Sequence, residues 1–237
     1  VALLSSYRRI SLLLALVLAL LLLLWLTIQQ GFWQDLWIQL REQLDSKTRV
    51  GIQIGHLDVS NHPDELESLR YNTGGVSGER SEVEVNKAVA YLLRDMLLAE
   101  GLLVDILPAT VPRKYRADVF ISLHADSSPD PERRGYKSAY YKFLRNQQDP
   151  VLKAQIDKAY FYFSGLPDDD ANVSGSMLEY YAFNHHRFKY SIAKRTPAIL
   201  VEMGYISNEE DWQFLKDPVN PAYALKMGIL SYLGRSD

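Results

Sequence analysis

Five histidines and no cysteine restrict any transition-metal site in this chain of 237 residues to imidazole and carboxylate ligands. The histidines are His56, His62, His124, His185 and His186. Two of them close short apolar runs: VGIQIG leads into His56 and DVFISL leads into His124. A third run, AILV, leads into Glu202. Catalytic zinc commonly takes three nitrogen or oxygen ligands and leaves a fourth position for water, so two histidines and one carboxylate would suffice. A single histidine at a strand end is more often a structural or surface residue. The pair at matching strand ends leaves ligand and structural roles both open, whereas His185 and His186 read as surface or rim residues.

Three glutamates, Glu79, Glu82 and Glu84, lie near the start of a helical pattern and compete for the third ligand position. At about 100° per residue the apolar face of that helix centres within roughly 40° of Glu82, while Glu84 points more than about 100° away. Glu82 therefore leans inward. It would also serve simply as an acidic first-turn residue favoured by the helix dipole, with Ser81 as the cap. Glu202 is a different case, because a carboxylate after Ile199, Leu200 and Val201 is costly unless it is paired or functional. Partial burial raises its proton affinity, which suits a group that takes a proton from water and passes it to a leaving amine.

The elements that must position these groups are short. Val50 to Gly55 reads as a first strand, and the stretch from Leu57 to Ser81, rich in Pro, Asn, Gly and charge, reads as a long loop of the kind usually kept for a function. Val85, Ala88, Val89, Leu92, Leu93, Met96 and Leu97 then recur at spacings of three and four, predicting a helix from Glu82 to Glu100 closed by Gly101. Leu103 to Leu107, Asp118 to Leu123 and Ala198 to Val201 are further strands. Such alternation describes an α/β domain with a mainly parallel sheet flanked by helices on both faces. His56, His124 and Glu202 all fall at carboxyl ends of predicted strands, the rim where open α/β sheets bind ligands.

Composition adds boundaries. The chain is 47% hydrophobic and 23% charged with a net charge of -3, enough for one core and without the basic run of a nucleic-acid surface, so no nucleic-acid partner is expected. Ile10 to Ile28 is an uncharged apolar run, long enough at about 1.5 Å per residue to span a bilayer. No small-x-small cleavage site follows it, which favours an uncleaved anchor over a signal peptide. Arg8 and Arg9 precede the run, so the short N-terminus is expected to stay cytoplasmic and the remainder to lie outside. Residues 1–28 thus read as stub and single-pass anchor, and 29–49 as an amphipathic juxtamembrane linker with Trp33 and Trp37. Residues 50–237 read as the catalytic domain.

Four segments taken in order, IQIGH, EVEVNKAVAYLL, RADVFISLHAD and TPAILVEMGYISN, resemble those of the zinc-dependent N-acetylmuramoyl-L-alanine amidases of the amidase-3 type. The resemblance runs from about Val50 to Tyr232. It implies a Zn2+ cofactor held by His56, Glu82 and His124, and Glu202 as the catalytic carboxylate. It implies peptidoglycan as the partner, with hydrolysis of the amide between N-acetylmuramic acid and L-alanine of the stem peptide. Asn86 and Arg116 are candidates to brace ligands or position substrate. Where the family usually has Gly-Gly after the first histidine, this chain has Leu57 and Asp58 followed by an insertion. The segment from Ser127 to Lys194, with its many tyrosines, is expected to shape the cleft, the tyrosines themselves more through core packing than through substrate contact. The ligand set would equally permit a zinc peptidase acting on the stem peptide. A metal-free wall-binding or regulatory protein on the same fold is the other alternative, and zinc content separates it from the enzymes.

Overall fold

The structure, a computed structural model, describes residues 14–22, 24–25, 47–143 and 145–235. It divides into two units, 1–46 and 47–237. In the first, the described residues are helical and their large apolar side chains, from Leu14 to Trp25, are exposed. Among the described residues no helix is long and apolar enough to cross a membrane. The expected span from Ile10 to Ile28 extends beyond the described residues, and most of the expected linker lies outside them.

The second unit is built on a five-stranded sheet: β1 (Arg49–Ile54), β4 (Leu103–Leu107), β5 (Val119–Asp126), β6 (Lys137–Ala139) and β7 (Ala198–Tyr205), in the order β4-β1-β5-β7-β6. Four strands are parallel, and β6 alone runs antiparallel against β7. Alternation along the strands sorts the side chains. Val50, Ile52, Ile54, Ile121, Leu123, Ile199 and Val201 face one core, and Phe120, Ala198 and Leu200 face another.

The longest helices, α1 (Glu82–Ala99), α2 (Asp149–Ser164) and α5 (Val219–Tyr232), all pack into the first core, joined by α4 (Glu209–Leu215). The opposite face is covered by α3 (Gly175–Leu178), by 3-10 turns at Asp64–Leu69 and Tyr181–Phe183, and by irregular chain. Both faces are therefore covered, as expected, though the helices on the two faces differ greatly in length. The sheet is mainly parallel, as expected, and the crossover from β5 to β7 carries much of the second covering layer in short pieces rather than in one helix.

Helix α1 follows its sequence pattern. Val89, Leu93 and Leu97 are fully buried, each contributing about 1.5–3 kcal/mol by leaving water, and Gly101 at φ 76° ends the helix in the left-handed region. Ser81 occupies the N-cap position with extended backbone but makes no capping bond through its side chain. The amide of Glu82 donates instead to the carbonyl of Gly75 at 3.0 Å.

The expected loop from Leu57 to Ser81 contains more order than its composition suggests. It holds 3-10 turns at Val59–Asn61 and Asp64–Leu69 and a hairpin of β2 (Val76–Ser77) and β3 (Arg80–Ser81). Leu66, only 1% exposed, pins it to the second core. On either side of Leu57, His56 (φ 63°) and Asp58 (φ 59°) both adopt left-handed conformations. Such positions cost L-residues on the order of 1–2 kcal/mol. Leu57 offsets part of this by packing against the first core.

Candidate metal centre and active site

At the carboxyl end of the sheet the structure brings His56, Glu82 and His124 together, one potential ligand atom from each lying within 4.8 Å of the others. His56 leaves the end of β1, where the amide of Gly55 donates to the carbonyl of Leu123 and fixes the exit. Its Nδ1 lies 2.7 Å from the Asn72 carbonyl oxygen, which occupies that nitrogen and leaves Nε2 facing Glu82 Oε1 at 3.3 Å. A metal-binding histidine is typically oriented in this way by a carbonyl on its other nitrogen. His124 presents Nδ1 to the same Glu82 oxygen at 2.9 Å, while its Nε2 is buried without a partner.

Glu82 is 6% exposed, whereas the side chain of Glu84 is 72% exposed, in line with the wheel. Gly75 donates its amide to Glu82 Oε2 at 2.7 Å, and the Asn86 amide group lies 3.4 Å from Oε1 and from the Gly55 carbonyl. The loop from Leu57 to Ser81 thus orients both His56 and Glu82. Burial would raise the proton affinity of Glu82, but hydrogen bonds from His124 and His56, with their charges, outweigh it and hold the carboxyl well below the usual range. In return, and against burial, Glu82 raises the proton affinity of His56. The centre fits closely around Gly55, where a Cβ would sit 2.4 Å from the His124 ring carbon Cε1.

Glu202 pairs in register with His124 across β5 and β7 and with Lys137 across β6 and β7. Two strand ends need correction here, because β5 continues to Asp126 and β7 to Tyr205. His124 and Glu202 therefore lie within strands, not after them. Neighbouring strands are about 4.8 Å apart, so the two side chains share one face at the rim. Glu202 Oε2 is buried with no hydrogen-bond partner. Burial first, then the charges of Glu82 and Asp126, push its proton affinity well up, partly offset by Lys137.

Lys137 was not visible as a site residue in the sequence. It is 3% exposed, and its Nζ lies 2.6 Å from Asp126, 3.1 Å from Asp169 and 2.5 Å from the Tyr205 hydroxyl. Burial would lower its proton affinity, but Asp126 and Tyr205 more than compensate, so the cation is retained beside Glu202. Its one sequence signal is a charged residue in a short apolar-alternating stretch, with partners too distant along the chain to be read.

A cleft of about 390 Å³ opens from His56, His124 and Glu202 and is walled by Leu66 and Asn72 of the insertion and by Tyr180. A more polar recess of about 290 Å³ joins His56, Glu82 and Glu202 to Lys137 and Asp126. Tyr136 and Tyr160 are fully buried and stacked, as core packing requires, while Tyr180 and Tyr181 line the cleft. His185 and His186 lie away from the three-residue cluster, in a separate pocket, and Arg116 does not line the cleft.

Two imidazoles and two carboxylates on the rim of a mainly parallel α/β sheet are a set suited to metal-assisted attack on an amide. Residues 50–231 match the family described as N-acetylmuramoyl-L-alanine amidase, and the chain belongs to that family and is a peptidoglycan amidase by class. Solved structures share the fold. The CwlD amidase from Clostridioides difficile, determined in complex with the GerS lipoprotein, aligns with a TM-score of 0.58 at 18% identity, over 80% of this chain and 100% of that one. The catalytic domain of CwlV, an N-acetylmuramoyl-L-alanine amidase from Bacillus (Paenibacillus) polymyxa var. colistinus, aligns with a TM-score of 0.56 at 22% identity, over 80% and 99% of the two chains. The amidase AmiC2 of Nostoc punctiforme gives 0.55 at 20% identity, over 80% and 99%. No curated protein sequence matches the chain.

Proposed function

We propose that the chain is a zinc-dependent hydrolase of the amide between N-acetylmuramic acid and L-alanine, held at the membrane by its N-terminal apolar run with the catalytic domain outside the cytoplasm. The observation that carries the catalytic reading is the convergence of His56, Glu82 and His124 beside the unpartnered carboxyl of Glu202. The carbonyl-anchored ring of His56, and the convergence of His56 Nε2 and His124 Nδ1 on Glu82 Oε1, fit a ligand set of this kind.

Zinc on these three side chains supplies Lewis acidity, polarising a carbonyl oxygen and lowering the proton affinity of water. The chain's own residues do the rest. Glu202 takes the proton from water as its oxygen attacks the lactyl carbonyl carbon, then delivers that proton to the alanine nitrogen as the C–N bond breaks. Its raised proton affinity helps it hold the proton between the two transfers, and Lys137 keeps the affinity from rising further. Asn72, Gly75 and Asn86 keep the ligands aimed.

The test is direct: the full chain reconstituted with zinc is expected to hold about one zinc and to release intact stem peptide from a muramyl-peptide. Failure to take up zinc would overturn the metalloenzyme reading, and cuts inside the peptide would favour a peptidase.

For the membrane reading, support comes from the uncharged run Ile10 to Ile28 and from Arg8 and Arg9 before it. Its described residues are helical and exposed. Protease added to intact spheroplasts is expected to remove the catalytic domain while the anchor stays with the membrane. Complete protection, or a mature form beginning after Ile28, would count against it.

A further inference from the structure

Beyond the cleft lies a pocket of about 530 Å³ lined by Arg113, Lys114, His185, His186, Arg187, Phe188 and Lys189. Six of these seven side chains are basic and none is acidic, in a chain whose net charge is -3. Arg187 and Phe188 also line the active-site cleft, so the two cavities share a wall.

The carboxylates nearest this wall are already engaged. Glu65 accepts the backbone amides of Lys189 and Tyr190 at 3.1 and 2.7 Å, and Glu179 is paired with Lys142, although its field reaches Arg187. Arg113, Lys114, Arg187 and Lys189 are exposed and make no ion pair among the described residues. Arg113 and Arg187 instead lie over the Tyr190 and Phe188 rings, at 5.9 and 5.0 Å. Burial first, then His186, lowers the proton affinity of His185, with Arg145 and Lys194 adding to that from outside the pocket. Concentrated positive charge without internal partners is a recognition surface for anions.

Resting on the proposed function, we infer that this basic pocket binds carboxylates of the stem peptide as it leaves the scissile amide, and so selects acidic stems over stems whose carboxylates are capped as carboxamides. Arg187 is the link, since it stands on the wall common to the scissile end and the basic end. Its planar guanidinium suits two-point contact with a carboxylate. Lys114 and Lys189 would act as point charges whose pull weakens with salt.

The experiment titrates the full chain with free stem peptide in carboxylate and carboxamide forms, and separately measures kcat/KM on the two matching muramyl-peptides. Wild type is expected to bind the carboxylate form roughly tenfold tighter at low salt, the gap closing as salt rises. The R113Q/K114Q/K189Q variant should lose that discrimination, mainly through KM, while keeping its zinc. Equal affinity of wild type for the two peptides overturns the inference, as does a variant that retains the preference. If the variant instead keeps the preference but loses sedimentation with vesicles of anionic lipid, the pocket is a membrane contact and the inference is wrong. The peptide titration needs no turnover. Preferential binding without hydrolysis would therefore count against the proposed function alone, and hydrolysis without preference against this inference alone.

Discussion

Glu202→Gln is expected to leave zinc bound and to lower turnover of a muramyl-peptide by roughly 100-fold or more, because it preserves shape and burial while removing the group that receives and returns the proton. In the metal-free protein, burial and the charges of Glu82 and Asp126 hold the proton affinity of Glu202 above the ordinary carboxylate range. A cation on the three ligands draws that affinity back down, so the acid limb of the zinc-loaded enzyme should lie below that of Glu202 in the metal-free protein. The same substitution has a stability consequence of opposite sign. In the metal-free protein the unfolded chain releases the Glu202 proton near 4.5 while the folded chain still holds it, so stability declines as pH rises from there through the folded value. Glutamine removes that penalty, and metal-free Glu202→Gln should unfold at a higher temperature than wild type at neutral pH. Metal assay, kinetics and thermal unfolding on one preparation check all three. Full activity with zinc bound would end the acid/base role, and a lower unfolding temperature would show that the buried carboxylate is not under strain.

How much of this could be read from the sequence differs from element to element. Helix α1 was legible almost to the residue because Val85, Val89, Leu93 and Leu97 repeat the period of a buried face and Gly101 supplies the stop. That same period turned Glu82 inward and Glu84 outward. Strands β5 and β7 were legible in their apolar halves but cut short, since a histidine and a glutamate read locally as the end of a buried strand. In the folded chain His124 and Glu202 sit side by side on a shared face and the ladder runs on past both. A strand ends where its backbone pairing ends, and polar side chains on the ladder do not stop it.

What the sequence could not show depends on contacts made at long range. Lys137 is buried only because Asp126, Asp169 and Tyr205 arrive from three other segments, and no local pattern announces such a meeting. The insertion after His56 looked like featureless loop because its order rests on single anchors, Leu66 in the second core and the carbonyls of Asn72 and Gly75 on the site. The unequal covering of the sheet was hidden for a related reason: short 3-10 turns carry too few residues to show a period. Helices were expected on both faces, and the packing of Met177, Tyr181 and Phe183 beneath β5 and β7 shows how much of the second face is covered by short pieces.

The ligand substitutions should fail in a way that Glu202→Gln does not. His124→Ala removes one of three groups and opens the space beside Gly55 where the ring now packs, so zinc affinity is expected to fall by at least about 100-fold, more than the 10–100-fold typical of losing an outer partner. Glu82→Ala should match it, because Glu82 Oε1 is the atom both imidazoles approach. Glu84→Ala should stay near wild type in zinc content and rate, since its side chain is 72% exposed on the opposite face of α1. Protons compete for the same atoms, and Glu82 raises the proton affinity of His56 above its usual 6.5 against the effect of burial. Zinc occupancy of the wild type should therefore begin to fall as pH drops toward that value, and Glu82→Ala should lose both its affinity and this proton competition at His56. Zinc titration with a chelator across pH separates these outcomes. Retention of tight zinc by Glu82→Ala, or its loss in Glu84→Ala, would show that the carboxylate at the start of α1 is a helix-end charge and that the third ligand lies elsewhere.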